Sequence, residues 1–254
     1  MKIVIPIQLV PDRVEEIVIN KEKDGFDLEE IAWILNEFDD HAVEQGIILK
    51  EKTGVEVVVV AAGGEKSDEA LFTAAAKGAD RLIRVNVDFS TEKVNNHALA
   101  KIFQTIIMEE KPDLILTGVS NHNGFDGAIG ALLAEYLGMP YIGYISGVDI
   151  EGMSALVLKD YPGGIKAKME VALPAVLGIS SSEKPPRYVP ISKVRQAMKT
   201  GSVQEKDGDI DLAGGLIIDR MYEPEVSGRA EILSGSLKDI ADRIAEIVKS
   251  QGLI

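Results

Sequence analysis

Short apolar runs rich in β-branched residues alternate along this chain with longer segments whose apolar residues recur at helical spacing. The strand-like runs are Ile3–Val10, Val55–Ala61, Leu82–Val87 and Leu114–Thr117. The helix-like segments are Ile31–Lys52, Glu69–Lys77, Asn95–Glu110 and Gly127–Leu137. Strands that alternate with helices indicate βαβ units and a parallel sheet covered on both faces. Because the crossovers of such units are right-handed, the sequence predicts a doubly wound, mostly parallel, Rossmann-like α/β sheet.

The pattern changes after Gly138. Two strands are expected on either side of the turn Pro162-Gly163-Gly164, followed by a third at Ala175–Ile179. The chain then becomes polar and Pro-rich, and the stretch Gly201–Gly215 is predicted to be flexible.

The C-terminal part has too few apolar residues past about Lys184 to form a core of its own. It closes on the amphipathic helix "SLKDIADRIAEIVKSQ", for which Ser234 and Ser236 are both possible N-caps. We therefore divide the chain into an α/β domain at 1–183 and an extended arm with a helix at 184–254, which we expect to wrap around a partner.

Composition excludes several classes of function. A net charge of −14 and a pI near 4.7 argue against nucleic acid as a partner, since binding to phosphate backbones requires a basic surface. The chain has no cysteine, which excludes disulfides, thiol nucleophiles and cysteine-ligated clusters. No apolar run approaches the roughly 20 residues that cross a bilayer, and the N-terminus does not resemble a signal peptide. We expect a cytoplasmic protein without membrane insertion.

The stretch "TGVSNHNGFDGAIG" at 117–130 is the best candidate for a phosphate site. It joins a buried strand to a helix, and ligands of doubly wound sheets lie outside the carboxyl ends of the strands. Gly124, Gly127 and Gly130 allow close approach of the backbone, and the amides that open the helix carry the positive end of its dipole. From spacing alone, an ordinary loop in which Asp126 caps the helix is an equally good interpretation.

Catalytic signatures are missing from the sequence. His41, His97 and His122 are far apart and show neither metal-ligand nor triad spacing. The zinc-protease, serine-hydrolase, P-loop and GxGxxG motifs do not occur. We therefore predict no catalytic residue and no metal site.

Several stretches together resemble the β subunit of electron transfer flavoproteins. The resemblance is collinear from residue 1 to about residue 200, and the segments that carry it are "MKIVIPIQLVPD", "LNEFDDHAVEQGIILKEKTG", "AAGGEKSDEALFTAAAKGADRLIRV", "KPDLILTG", "GGIKAKMEVALPAVLGIS" and "EKPPRYVPISKVRQAMK". The fold that it implies is the Rossmann-like one of the adenine nucleotide α-hydrolases.

The function that the resemblance implies is that of an electron carrier. The family's β subunit forms a heterodimer with an α subunit, whose FAD lies near the shared interface. The β subunit itself holds AMP, or a second FAD in the electron-bifurcating members, where that flavin takes a hydride from NADH. Carried over by position, the residues that would bind the nucleotide are Pro6, Asn36, Ala62, Gly118, Asn123, Gly124, Asp126, Gly127, Ala128, Ile129 and Gly130.

The phosphate loop departs from the family pattern. Asn123 and Phe125 stand where the family has Asp, and Ala128 stands where it has Gln, whereas Gly130 is kept. The departures remove polar side chains but leave the helix amides, so three alternatives stay open: AMP, FAD and an empty site.

The segment "PPRYVPI" corresponds in the family to the loop that docks onto acyl-CoA dehydrogenases. Ile191 falls at the position of its anchoring leucine, beside Pro186, Arg187 and Tyr188. An exposed apolar residue in such a setting can dominate binding. The alternative is that Ile191 packs on its own domain.

Two other functions are compatible with the fold. One is a stand-alone regulator that binds an adenine nucleotide, like the universal stress proteins, although such a domain does not need a long C-terminal arm. The other is an ATP-cleaving enzyme of the pyrophosphatase type, which would require an "SGGxDS"-like loop where this chain has "IQLVPD".

Overall fold

The computed structural model describes residues 1–27, 31–87, 94–122, 124, 129–224 and 230–253. The strands are β1 (Lys2–Ile7), β2 (Leu9–Pro11), β3 (Trp33–Leu35), β4 (Glu56–Ala62), β5 (Arg81–Asn86), β6 (Leu114–Gly118), β7 (Tyr141–Glu151), β8 (Ser154–Tyr161), β9 (Ile165–Ala172), β10 (Ala175–Ile179) and β11 (Val203–Asp207). The helices are α1 (Glu37–Thr53), α2 (Asp68–Lys77), α3 (Asn96–Glu110), α4 (Ile129–Leu137), α5 (Ile191–Thr200) and α6 (Leu237–Ser250), with a short 3₁₀ turn at Gly64–Ser67.

Nine strands form one sheet in the order β11-β5-β4-β1-β6-β10-β7-β8-β9. In this sheet neighbours are parallel from β11 to β7, whereas the β7–β8 and β8–β9 pairs are antiparallel. The prediction of a doubly wound, mostly parallel α/β sheet is confirmed.

The core lies on both faces of the sheet, as the period of two along a strand requires. In β1, Ile3, Ile5 and Ile7 face the same side as the buried residues of α1 and α2. Val4 faces the other side, where α3 and α4 pack. Because both faces are covered, the central strands carry runs of consecutive apolar residues, such as Val57–Ala62 in β4, rather than an apolar residue at every second position.

The helix that was predicted to start at Ile31 begins only at Glu37. Trp33–Leu35 forms the short strand β3 instead, paired antiparallel with β2. Aromatic and β-branched residues favour this extended conformation, and Asn36 is also extended at the helix N-terminus. The acidic residues of the first turn then favour helix initiation through the helix dipole.

The prediction that Gly201–Gly215 is flexible is wrong for its first part. Val203–Asp207 forms β11, which pairs parallel with β5 at the edge of the sheet. Ion pairs between Arg84 and Glu205 at 2.9 Å and between Lys206 and Glu109 at 2.8 Å support this edge. The sheet therefore includes residues past the predicted boundary at 183. Helix α5, which precedes β11 in the chain, packs against α2.

The C-terminal helix α6 is confirmed, and Ser236 is its N-cap. The Ser236 side chain accepts from the Asp239 backbone N–H, and the Asp239 side chain accepts from the Ser236 N–H, which completes a capping box. No residue of α6 is buried against the described part of the chain. Among the described helices none is long and apolar enough to cross a bilayer.

Candidate functional site

The order of the strands places the expected ligand crevice of this sheet between β1 and β6. After β1 the chain crosses by way of α1 to β4 on one side, whereas after β6 it continues by way of α4 toward β7 on the other side. The two connections leave the sheet in opposite directions at adjacent strands, which is a topological switch point. Ligands of open α/β sheets bind outside the carboxyl ends of the strands at such a point.

Asp39 joins the two sides of this crevice. It lies in the first turn of α1 and is only 1% exposed. Its Oδ2 accepts the backbone N–H of Gln8 at 2.9 Å, just after β1, and its Oδ1 accepts the backbone N–H of Gly118 at 2.9 Å, the last residue of β6. Burial raises the pKa of Asp39 to about 7, although hydrogen bonds from Gln8, Asn36 and Gly118 act in the opposite direction.

A cluster of carboxamide side chains lies next to this carboxylate. Asn121 Nδ2 donates to Gln8 Oε1 at 2.5 Å and lies 3.5 Å from Asn96 Oδ1. Asn36 Nδ2 donates to the backbone oxygen of Ser120 at 2.9 Å. Carboxamides both donate and accept hydrogen bonds, as recognition of a nucleotide base and ribose requires.

Gly130 allows α4 to approach the crevice closely. A Cβ at this position would lie 2.5 Å from Thr117 Oγ1 and 2.9 Å from Tyr141 Cε2, so only glycine fits without movement. The Thr117 hydroxyl is buried and has no hydrogen-bond partner within the described part of the chain. The first turn of α4 is therefore packed against β6, next to the Thr117 hydroxyl. This arrangement fits an anion bound at a helix N-terminus.

The structure brings together the predicted nucleotide-site residues that it describes. Pro6 lies in β1, Ala62 ends β4, Gly118 ends β6, and Asn36 immediately precedes α1. Gly124 lies against the carboxamide cluster, where an added Cβ would be 2.8 Å from Asn121 Oδ1. Ile129 and Gly130 open α4 and are buried. The other predicted residues, Asn123, Asp126, Gly127 and Ala128, lie outside the described residues.

Sequence reasoning missed the residues that organise the crevice. Asp39 stands in the "NEFDD" stretch, where acidic residues are explained sufficiently by the helix dipole. Gln8, Asn96 and Asn121 are separated by up to 113 positions, and only the fold places them together. Among the described residues no group of His, Asp or Glu has the arrangement of a metal site.

The segment predicted to dock a partner is anchored on α1 by Arg187. Its guanidinium bonds Glu44 through Nε at 2.9 Å and Glu51 through Nη1 at 2.7 Å, and the Arg187 backbone N–H donates to Glu44 at 3.0 Å. Hydrogen bonds from the Arg187 guanidinium lower the pKa of Glu51. Next to this anchor, Tyr188 is 86% exposed and Ile191, the first residue of α5, is 67% exposed. Pro186 is half-buried at the start of the segment.

A separate cavity of about 380 Å³ lies toward the antiparallel side of the sheet. Its lining includes Tyr144, Lys159 and Tyr161. The Lys159 ammonium lies over both tyrosine rings and donates to the Gly143 carbonyl oxygen at 2.6 Å. None of the predicted site residues lines this cavity.

The fold and the crevice place this chain in the class of doubly wound α/β proteins whose ligand crevice lies at a switch point.

Residues 26–210 match the model of the electron transfer flavoprotein domain. The chain is 30% identical over 262 aligned positions to the electron transfer flavoprotein subunit beta of Methylophilus methylotrophus, covering 98% of both chains. It is 27% identical to the subunit of the same name from Bacillus subtilis (strain 168), covering 96% of this chain and 95% of the relative. It is 38% identical over 170 positions to that of Syntrophomonas wolfei, covering 66% of each. The chain therefore belongs to the electron transfer flavoprotein family, as a β subunit.

Proposed function

We propose that this chain forms a heterodimer with an FAD-containing α subunit, binds an adenine nucleotide at the switch-point crevice, and carries electrons from acyl-CoA dehydrogenase-type flavoenzymes to a further redox partner. The observation that carries the proposal is the similarity to β subunits along nearly the whole chain. The convergence of Pro6, Asn36, Ala62 and Gly118 on one crevice supports the nucleotide site. The family assignment favours this function over a stand-alone regulator.

The described part of the crevice fits an adenine nucleotide without a basic side chain. The carboxamides of Gln8, Asn96 and Asn121 offer hydrogen bonds to the base and ribose, and the backbone at the start of α4 offers N–H groups to the phosphates. Backbone donors hold a phosphate whatever the side chains are, so Ala128 in place of the family's Gln is compatible with binding. AMP is the proposed ligand, and a second FAD is the alternative, which would supply redox chemistry when bound.

The arm provides the proposed contacts with other proteins. In α6, Leu237 is almost fully exposed and Ile244 is half exposed, so an apolar stripe faces away from the described domain. We propose that the α subunit covers this stripe. Tyr188 and Ile191 form the proposed contact with the dehydrogenase, since both are large, exposed and held next to the anchored Arg187.

The nucleotide is tested by co-expressing the chain with its α subunit, denaturing the purified heterodimer and quantifying the released FAD and AMP by chromatography. One FAD and one AMP per heterodimer are expected. Two FADs would show the bifurcating type, and one FAD without a second nucleotide would refute the nucleotide site.

Docking is tested with Ile191→Ala in the heterodimer. Truncating a central apolar anchor commonly costs ~2 kcal/mol or more, which corresponds to about a thirtyfold loss of affinity. In stopped-flow measurements of flavin reduction, the dehydrogenase concentration that gives half the maximal rate should rise by this factor, while the flavin content stays unchanged. The control is Met108→Ala, which truncates a side chain on α3 that is 61% exposed. Equal behaviour of the two variants would show that Ile191 is not an anchor.

A further inference from the structure

We propose that Asp39 is a positioning residue for the adenine nucleotide. Its carboxylate holds the chain after β1 and the chain after β6 at a fixed separation, and so sets the width of the crevice without touching the ligand. The inference rests on the proposed nucleotide site, which it deepens.

The sheet splits between β1 and β6 at the point where the carboxylate lies. The two strands pair only at Ile3 with Leu114 and at Val4 with Ile115. Beyond these two pairs, β1 pairs only with β4 and β6 pairs only with β10. The β1–β4 ladder continues to Ile7, and the β6–β10 ladder continues to Gly118.

Asp39 supplies the connection that the ladder lacks. If the register continued, Ile7 would face Gly118, but the hydrogen bonds at this level go to the carboxylate instead. One oxygen binds the N–H of Gln8 and the other binds the N–H of Gly118, each at 2.9 Å. A side chain that is inserted between two separated strands in this way fixes how far apart they are.

The enclosure of Asp39 excludes direct contact with a ligand. The side chain is buried almost completely, and both oxygens are already occupied by backbone donors. A Cβ on Gly118 would collide with the carboxylate and with the backbone N of Asp39 at 2.9 Å, so the strand end is pressed against the helix start.

The positions that Asp39 fixes carry the polar groups of the site. Gln8 bears one of the two backbone donors, and its side chain bonds Asn121. Gly118 bears the other, two residues before Ser120, whose carbonyl oxygen accepts from Asn36. A change in the separation of the backbones therefore moves these carboxamides relative to one another.

Two acceptor oxygens are needed for this role. An asparagine has the same shape but only one acceptor, and its NH₂ group would face one of the two backbone N–H groups. In the ionised form of Asp39, which is the main form above about pH 7, these hydrogen bonds are also stronger than those to a neutral amide. Asp39→Asn should therefore release one side of the crevice.

The matched control is Asp113→Asn. Asp113 Oδ2 accepts the backbone N–H of Lys2 at 2.7 Å, so it ties the same two strands together at their opposite, amino-terminal ends. Each substitution replaces a carboxylate that accepts a backbone N–H from this pair of strands by a neutral carboxamide, but only Asp39 lies at the crevice and uses both of its oxygens.

The experiment uses the full chain and two measurements at a temperature where far-UV circular dichroism shows each variant fully folded. Hydrogen–deuterium exchange is followed in the peptides that contain Gln8 and residues 117–122, and AMP affinity is measured by isothermal titration calorimetry. Asp39→Asn should accelerate exchange in both crevice peptides and raise the Kd for AMP at least tenfold. Asp113→Asn should leave both crevice peptides and the Kd within twofold of the parent.

Unchanged exchange and unchanged Kd in Asp39→Asn would overturn the proposal, and so would equal losses in the two variants, which would indicate general destabilisation. If Asp39→Asn does not fold, Asp39→Ser, which keeps a single small acceptor, is measured against the same criteria. If the parent binds neither AMP nor FAD, the proposed nucleotide function fails. In that case the exchange data still decide whether Asp39 holds the strand ends, because they need no ligand.

Discussion

The buried carboxyl of Asp39 should make the stability of this protein fall as the pH rises toward neutrality. Its pKa is about 7 in the folded chain, compared with an ordinary value of 3.8, because burial disfavours the charged form. Between these two values the folded chain keeps a proton that the unfolded chain has released. The contribution of this group to stability is therefore fully present below the ordinary pKa, is lost as the pH rises through the folded pKa, and is constant above it.

The size of the effect follows from the shift. About three pKa units at 1.36 kcal/mol per unit give on the order of 4 kcal/mol over the whole window. By the linkage relation, the free energy of unfolding should fall by roughly 3 kcal/mol between about pH 4.5 and about pH 7.5. Asp39→Asn has no titrating group at this position, so its free energy of unfolding should lack this decline.

The assay is urea denaturation of the parent and of Asp39→Asn, followed by circular dichroism at several pH values across the window. Because other titrating groups are shared, the difference between the two curves isolates Asp39. Glu110→Gln is the control, since the hydrogen bond from Arg81 lowers the pKa of Glu110 to about 2. Its difference curve should be flat above about pH 5. If the parent and Asp39→Asn gave parallel curves over the whole window, the assignment of a buried, protonatable carboxyl at the crevice would be refuted.

Two further substitutions test other parts of the structure. Arg187→Ala should reduce the free energy of unfolding by about 3–5 kcal/mol in the same urea experiment, because it leaves Glu44, which is 2% exposed, as a buried charge without its partner. Arg195 is an exposed arginine on α5, so the control Arg195→Ala should change the free energy of unfolding by no more than about 0.5 kcal/mol. Gly130→Ala should cost about 1–3 kcal/mol in thermal denaturation, because the new methyl group meets Thr117 Oγ1 at 2.5 Å; an unchanged midpoint would mean that α4 moves away from β6 without penalty.

The architecture could be predicted from the sequence because the central strands are recognisable from their apolar runs alone. Val57–Ala61 and Leu114–Leu116 are unbroken apolar runs, as strands that are covered on both faces require. The edge strand β11 carries the opposite signal. Its sequence "VQEKD" is polar because one side of an edge faces solvent, and charges there discourage pairing with other chains. A strand of this composition cannot be distinguished from a loop without its partner β5.

The site was predictable only as far as its loops. The carboxyl ends of β1, β4 and β6 follow from the alternation of strands and helices, and these three strands lie side by side in the sheet. The role of Asp39 depends on a split between β1 and β6, whose pairing ends at Val4 and Ile115. The point where two strands stop pairing is a property of the assembled sheet, so the apolar pattern of the sequence did not reveal it.

The anchoring of the segment before α5 has a kinetic consequence for any protein that binds there. The segment is tied to α1 through Arg187 and through the hydrogen bond between Ser182 and His41, and it continues directly into α5, which is packed on α2. Tyr188 and Ile191 are thus presented on backbone whose conformation is already fixed before an encounter. A partner that docks on them has little loop entropy to remove, and binding does not have to wait for a rearrangement of this chain. Such a surface suits contacts that form without a slow conformational step.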